Sequence, residues 1–280
     1  MRIETAINQG FKELKKNNIK SPLLDSEIIM SKVLNKGREY LILNHKDEIN
    51  SIFSDRYKKL IKERLLGKPV AYLVGKKFFW EYEFLINKKV LIPRPDTELI
   101  VDQVLRIYKN KSKINFLEIG VGSGCIILSI LKERDDFKGS GIDISSECIK
   151  TCKINAYNLK IKNRLKLSKS DIDNFHYGKY DLIISNPPYV KSLNLKNLDK
   201  DVVNFEPKLA LNGGLDGLSV IRKVINKSSN LIKKNGKLII EIAFDQKKVV
   251  KDLLKEKGFY VNKVIKDLSK NDRCIVSTKI

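Results

Sequence analysis

The chain has 280 residues, 42% of them hydrophobic and 31% charged, with a formal net charge of +22. That length allows one large or two moderate domains with ample core, and no apolar run approaches the roughly 18 residues that a membrane span needs. Met1-Arg2-Ile3-Glu4-Thr5 lacks a signal-peptide pattern, so the expected location is the cytoplasm, with no membrane partner. Four cysteines without a C-x-x-C pair and two distant histidines, His45 and His176, argue against a zinc cluster or a histidine triad, and no metal is expected. Excess lysine can mark a nucleic-acid partner. Here lysine and asparagine recur along the whole chain, as in Lys109-Asn110-Lys111-Ser112-Lys113 and Lys233-Lys234-Asn235, which points to compositional bias more than to one binding patch.

Residues 1–70 read as a small helical bundle. Ile3, Ile7, Phe11 and Leu14 share one helical face. A second helix follows Ser21-Pro22, with Ile28, Ile29, Val33 and Leu34 facing inward and Gly37 as its stop. Phe53, Tyr57, Leu60, Ile61 and Leu65 repeat the pattern as far as Gly67-Lys68-Pro69. The bundle carries no chemistry of its own, which suits a module that binds a partner or substrate. Residues 71–95 shift to aromatics, and the alternation around Glu81-Tyr82-Glu83-Phe84 predicts a hairpin that joins the domains. A helix is expected to open after Pro95, with Asp96 near its N-terminus.

Residues 96–280 alternate strand and helix patterns, which implies a mostly parallel sheet. Seven strands are predicted, at Asn115–Ile119, Lys138–Ile142, Arg164–Leu167, Tyr180–Ser185, Lys237–Ile242, Tyr260–Ile265 and Arg273–Thr278.

Chemistry gathers at four strand ends, the edge where open α/β sheets bind ligands. The first strand runs through Glu118 into Gly120-Val121-Gly122-Ser123-Gly124. Glycines let the backbone approach a ligand closely and take positive φ. A nicotinamide fingerprint would need a third glycine where Cys125 stands, and no Walker lysine follows. Asp143 ends the second strand, where a carboxylate can accept both ribose hydroxyls or cap the helix at Ser145-Ser146-Glu147; the glycine loop favours the ribose. Asp171, after the third strand, could accept from an adenine amino group with Ile172 packed on the ring, or cap a turn. The fourth strand ends in Ser185-Asn186-Pro187-Pro188-Tyr189. Two prolines fix the backbone and remove two N–H donors while leaving the carbonyls free. The Asn186 side-chain oxygen and the Pro187 carbonyl can accept both hydrogens of one planar NH2 group, and Tyr189 adds a flat face. That arrangement suits methylation of an amide or exocyclic amine, whose nitrogen lone pair is otherwise delocalised.

The glycine loop resembles the cofactor loop of class I S-adenosylmethionine-dependent methyltransferases. Further segments narrow the likeness: Gly67-Lys68-Pro69-Val70-Ala71-Tyr72-Leu73, Phe79-Trp80, Ile92-Pro93-Arg94-Pro95-Asp96-Thr97-Glu98, Phe205-Glu206-Pro207, and Leu209-Ala210-Leu211-Asn212-Gly213-Gly214-Leu215-Asp216-Gly217. Together with Asn186-Pro187-Pro188-Tyr189 they resemble, over nearly the full chain, the bacterial peptide chain release factor glutamine methyltransferases. The resemblance implies a Rossmann-like α/β methyltransferase domain behind the bundle and hairpin. It implies S-adenosylmethionine as cofactor, S-adenosylhomocysteine as product, and a cofactor site at Glu118, Gly120, Val121, Gly122, Ser123, Gly124, Asp143, Asp171, Ile172 and Asn186. Asn186, Pro187, Pro188 and Tyr189 would hold the substrate at the reacting centre. The implied substrate is the glutamine of the Gly-Gly-Gln motif in class 1 release factors, bound by a monomeric enzyme without obligatory nucleic acid. The sequence departs from the family at Ala243, where a glycine is usual, and at Ile172, where a bulkier ring often covers adenine. The alternative is an amino-methyltransferase acting on adenine or guanine in nucleic acid, which needs the same acceptor geometry.

Overall fold

The computed structural model describes residues 1–161 and 163–280. The chain divides into two compact units, residues 1–76 with 199–205, and residues 77–198 with 206–280.

The first unit is helical: α1 (Ile3–Lys16), α2 (Pro22–Leu34), α3 (Arg38–Leu43), α4 (Ser51–Leu65) and α5 (Val70–Val74). Ile3, Ile7 and Leu14 of α1 pack with Ile29, Met30 and Val33 of α2 and Tyr57 and Ile61 of α4, as 3.6-residue periodicity requires. The second helix ends earlier than expected, because Asn35 takes the left-handed conformation at φ +52° and closes it. Gly37 instead opens the short α3, which the sequence pattern did not announce. Asn50 caps α4 by accepting from the Phe53 N–H. Inside the bundle, Arg64 Nε sits 2.7 Å from Asp25 Oδ2, both side chains nearly sealed from solvent. Ser26 donates to the Ile7 carbonyl and accepts from the Tyr57 hydroxyl, and burial pushes that phenol up to about 12. The detached segment 199–205, which carries α9 (Lys200–Phe205), belongs to this unit, and its Asp199 pairs with Lys20 at 2.6 Å.

The second unit begins in a hairpin of β1 (Lys76–Phe79) and β2 (Tyr82–Leu85). It continues through α6 (Glu98–Ile107), β3 (Asn115–Ile119), α7 (Cys125–Glu133), β4 (Lys138–Asp143), α8 (Ser146–Asn158), β5 (Leu165–Lys169), β6 (Tyr180–Ser185), α10 (Ser219–Leu231), β7 (Ile232–Glu241), α11 (Lys247–Glu256), β8 (Phe259–Lys266) and β9 (Asp272–Lys279). The seven-stranded sheet runs β5-β4-β3-β6-β7-β9-β8. Its first five strands are parallel, and β9 lies antiparallel between β7 and β8. This is the mostly parallel sheet that the alternating pattern predicts, in the Rossmann-like arrangement that the family resemblance implies. Two apolar layers cover its faces, one built on Phe116, Leu182 and α7, the other on Leu117, Ile183 and α10. The chain leaves β3 for β4 on one side and later returns β6 to the other, so a crevice opens where the order reverses.

Three local differences have physical causes. β7 starts at Ile232 instead of Lys237, because Tyr180 pairs with Ile232 across a register shift and the polar Lys233-Lys234-Asn235 turn is carried inside the strand. A single 3-10 turn, Pro95–Thr97, precedes α6, and Asp96 does not cap that helix. The aromatics of the hairpin divide: Phe79 and Phe84 are buried edge to face, whereas Phe78 is exposed. No helix among the described residues is long and apolar enough to cross a membrane.

Candidate active site

Five parallel strands deliver their C-terminal ends to one edge, and a cavity of about 700 Å³ opens there. Its floor is the loop after β3. Gly120 and Gly122 take φ of +82° and +54°, and a Cβ on either would point into open space. Gly124, at φ +83°, serves the scaffold instead, since a Cβ there would come within 2.5 Å of Cys152 Sγ on α8. Every loop residue from Gly120 to Ser123 lines the cavity; Gly124 does not.

Glu118 stands under this loop with 1% of its surface exposed. Its Oε2 accepts from the Ile127 N–H at 2.9 Å, in the first turn of α7, where the helix leaves N–H groups unpaired. Burial raises its pKa well above the ordinary carboxylate range, against the pull of that N–H. Asp143 is held open in the same way: its two oxygens accept from the Gly122 and Ser145 N–H groups at 3.0 and 2.8 Å. Ser145, not Asp143, is the side-chain cap of α8. Each carboxylate oxygen has two lone pairs, so Asp143 retains acceptor capacity toward the cavity it lines. Asp171 caps the turn at Ile172 by accepting from the Asp173 N–H at 2.8 Å, and both Asp171 and Ile172 line the cavity wall.

Across from the glycine loop, β6 ends at Ser185, whose hydroxyl donates to the Ile119 carbonyl and locks the two strand ends together. Asn186 and Pro188 then form part of the wall. Pro187 is buried, and neither it nor Tyr189 belongs to the wall. The Tyr189 hydroxyl is tied at 3.2 Å to Glu241 Oε1 at the end of β7, and its ring packs on the apolar layer that includes Leu218 and Ile240. The flat face expected over a substrate is thus turned into the scaffold.

Three of the segments that carried the family likeness border this cavity, through Pro93, Arg94 and Thr97, through Pro207, and through Leu209 and Ala210. Glu206 of Phe205-Glu206-Pro207 accepts from Arg94 and from the Ile92 N–H, so it clasps Ile92-Pro93-Arg94. Val190 pairs with Asn212 in a short parallel bridge. The Gln246 side chain donates to the carbonyls of Tyr189 and Gly217 at 3.2 and 3.0 Å. Asn155 of α8, 1% exposed, accepts from the Leu85 N–H and donates to the carbonyls of Leu85 and Ser123, which fastens β2 and the glycine loop to one helix.

Sequence reasoning missed three features of the site. Thr97 and Glu241 join Asn186 and Tyr189 in one hydrogen-bonded chain: Asn186 Nδ2 donates to Thr97 Oγ1 at 3.0 Å, and Thr97 Oγ1 donates to Glu241 Oε2 at 2.8 Å. Burial raises the Glu241 carboxyl to about 7, with the two hydroxyls and Arg273 pulling it down and Asp96 pushing it up. The available signal was a charged residue closing the apolar run Leu238-Ile239-Ile240. The third is the basic lining, with Lys88, Lys89, Arg94, Lys208 and Lys223 around the cavity.

Comparison with known proteins agrees with this geometry. A profile of the PrmC N-terminal domain matches residues 5–75, and a methyltransferase-domain profile matches residues 110–276. A bifunctional methyltransferase of Rickettsia conorii is 32% identical over 303 residues, which cover 99% of this chain and 58% of that protein. The chain thus spans little more than half the length of the bifunctional relatives it matches. A release factor glutamine methyltransferase of Buchnera aphidicola is 36% identical over 284 residues, covering all of both chains. A methyltransferase structure from Pyrococcus furiosus shares the fold, with a TM-score of 0.52 and 19% identity over 81% of this chain and all of that one. With both profiles in chain order and full-length relatives above 30% identity, the chain belongs to the release factor glutamine methyltransferase family, within the class I S-adenosylmethionine-dependent methyltransferases.

Proposed function

We propose that this chain transfers a methyl group from S-adenosylmethionine to the side-chain amide nitrogen of the glutamine in the Gly-Gly-Gln motif of class 1 release factors. The observation that carries the reading is the convergence of an open glycine floor, an acidic strand end and a tethered asparagine carboxamide on one cavity. The residues present fit the cofactor. Gly120 and Gly122 leave a bare backbone surface that any Cβ would fill, Asp143 keeps lone pairs for ribose hydroxyls, and Asp171 and Ile172 border the far side for the base. Val121 and Ser123 complete the floor, Gly124 supports it from below, and Glu118 keeps an oxygen free of the helix for a methionine amino group. When bound, S-adenosylmethionine supplies a methyl group on a positively charged sulfur.

This chain's own contribution is binding, orientation and exclusion of water. Asn186 Oδ1 accepts one hydrogen of the substrate amide and the Pro187 carbonyl the other, which turns the nitrogen lone pair toward the cavity. Orientation of this kind supplies much of an enzyme's acceleration. Pro188 stiffens the backbone, and Tyr189 holds the motif from behind. The proton leaves after transfer, when the nitrogen has become acidic, so no side-chain base is needed. The bundle at residues 1–70 would grip the release factor, and the enzyme would act as a cytoplasmic monomer.

The test is methyl transfer from labelled S-adenosylmethionine to purified release factor, beside a Gly-Gly-Ala variant and beside tRNA, rRNA and DNA. Label on the Gln form alone is expected. Label on nucleic acid alone would overturn the reading and favour an amino-methyltransferase of bases.

A further inference from the structure

Asn186 can accept from a substrate only if its carboxamide presents oxygen to the cavity. Nothing in the motif itself sets that choice, since the two ends of a carboxamide have nearly the same shape. The structure sets it from outside. A hydroxyl carries one hydrogen, and Thr97 directs its own to Glu241 Oε2 at 2.8 Å. At its 3.0 Å contact with Asn186, Thr97 can therefore only accept. The Asn186 NH2 is drawn to Thr97, and Oδ1 is left for the cavity that Asn186 lines.

The origin of this polarity is the Glu241 carboxylate. When ionised it can only accept, and it receives both the Thr97 hydroxyl and the Tyr189 hydroxyl. One buried group thus holds the first and last residues of Asn186-Pro187-Pro188-Tyr189. We propose that Glu241 is a positioning residue that fixes, through Thr97, which end of the Asn186 carboxamide faces the substrate. The inference rests on the amide-methylation reading above and deepens it.

Protonation reverses the chain. A neutral Glu241 can donate to Thr97, which frees the Thr97 hydrogen to point at Asn186, and the carboxamide then turns its NH2 toward the substrate's own N–H. The groups facing Glu241 are Arg273 and Cys274 from β9, Asp96 and Thr97 from the turn before α6, Tyr189 from the motif, and Cys125 from α7. Of the charged groups Arg273 favours the ionised form and Asp96 opposes it. With its carboxyl raised by burial to about 7, Glu241 titrates within the working range. Turnover should rise with pH through that value and level off above it.

The experiment compares wild type with Glu241→Gln, Thr97→Val and Thr97→Ser. Release-factor methylation is followed from about pH 6 to pH 9, with S-adenosylhomocysteine affinity and the side-chain 15N–1H2 signals of Asn186 measured on the same proteins. A misoriented acceptor should lower kcat by on the order of 10²-fold in Glu241→Gln and Thr97→Val. Cofactor affinity should hold, Thr97→Ser should recover most of the rate, and Glu241→Gln should lose the acid limb of the pH profile. The Asn186 signals should shift as wild type is titrated and stay still in Glu241→Gln. Retention of the acid limb in Glu241→Gln, together with Asn186 signals that titrate as in wild type, would overturn the proposal. So would a loss of cofactor affinity in proportion to kcat. The NMR readout is independent of the substrate's identity. Titrating Asn186 signals in an enzyme that does not label release factor would uphold the polarity and sink the function, and the reverse pattern would do the opposite.

Discussion

At the scale of single residues, Glu241 sets stability against activity. Its carboxyl is raised from 4.5 to about 7 in the folded chain, mainly by burial, a difference worth about 3 kcal/mol between its two protonation states. Because the folded value is the higher one, that contribution is fully present below about pH 4.5 and is lost as pH rises to about 7. Glu241→Gln should therefore be as stable as wild type or more so at pH 8 by urea unfolding, with a flatter dependence of stability on pH between 5 and 8. A stability loss at pH 8 in proportion to the lost turnover would contradict this account. The same residue marks the limit of what the sequence tells at this scale. Asn186, Gly120, Gly122 and Asp143 could be singled out because each stands in a short local pattern at a strand end. Thr97 and Glu241 reach Asn186 and Tyr189 across 89 and 52 positions of chain, and a linear sequence does not say which distant side chains will meet. Tyr189 illustrates the converse: its place in the motif suggested a substrate-facing ring, and packing against the layer around Leu218 turned it inward.

At the scale of elements, the central strands were readable to within a residue or two, because strands buried on both faces are continuous apolar runs. β3 and β6 have the predicted bounds. Legibility fell where neighbours decide: β7 gained its first five residues from pairing with the start of β6, and the short α3 has too few turns to show a period. How helix, hairpin and glycine loop are fastened together was not legible at all. That fastening is the Asn155 side chain on α8, which satisfies the Leu85 N–H and the carbonyls of Leu85 and Ser123. Asn155→Ala leaves three backbone groups unpartnered beside a cavity that water would have to fill. The expected cost is about 2–3 kcal/mol in denaturant unfolding. Because Ser123 lines the cofactor cavity, calorimetry should also show weaker S-adenosylhomocysteine binding, by about tenfold. Unchanged affinity in a destabilised variant would mean that the loop holds its shape without this helix.

At the scale of the whole molecule, the charge of +22 and the protein-methylation reading make separable predictions. Binding to RNA that rests on charge alone should fall steeply between about 50 and 200 mM salt, through counterion release. Gel-shift titrations should show that loss, while nuclease treatment leaves methylation of release factor unchanged. Nuclease-sensitive methylation would give the basic surface a part in substrate recognition. Topology at this scale was invisible in the sequence. Nothing in Asp199-Lys200-Asp201-Val202-Val203-Asn204-Phe205 announces that the chain leaves the methyltransferase unit after Leu198, joins the helical unit, and returns at Glu206. The backbone consequently crosses between the two units three times, at 76/77, 198/199 and 205/206. An engineer who grafts the first unit onto another methyltransferase by a single splice near residue 76 would leave seven of its residues behind. The two units divide the chain between them in alternation, and any chimera that exchanges them has to be cut and rejoined at all three places.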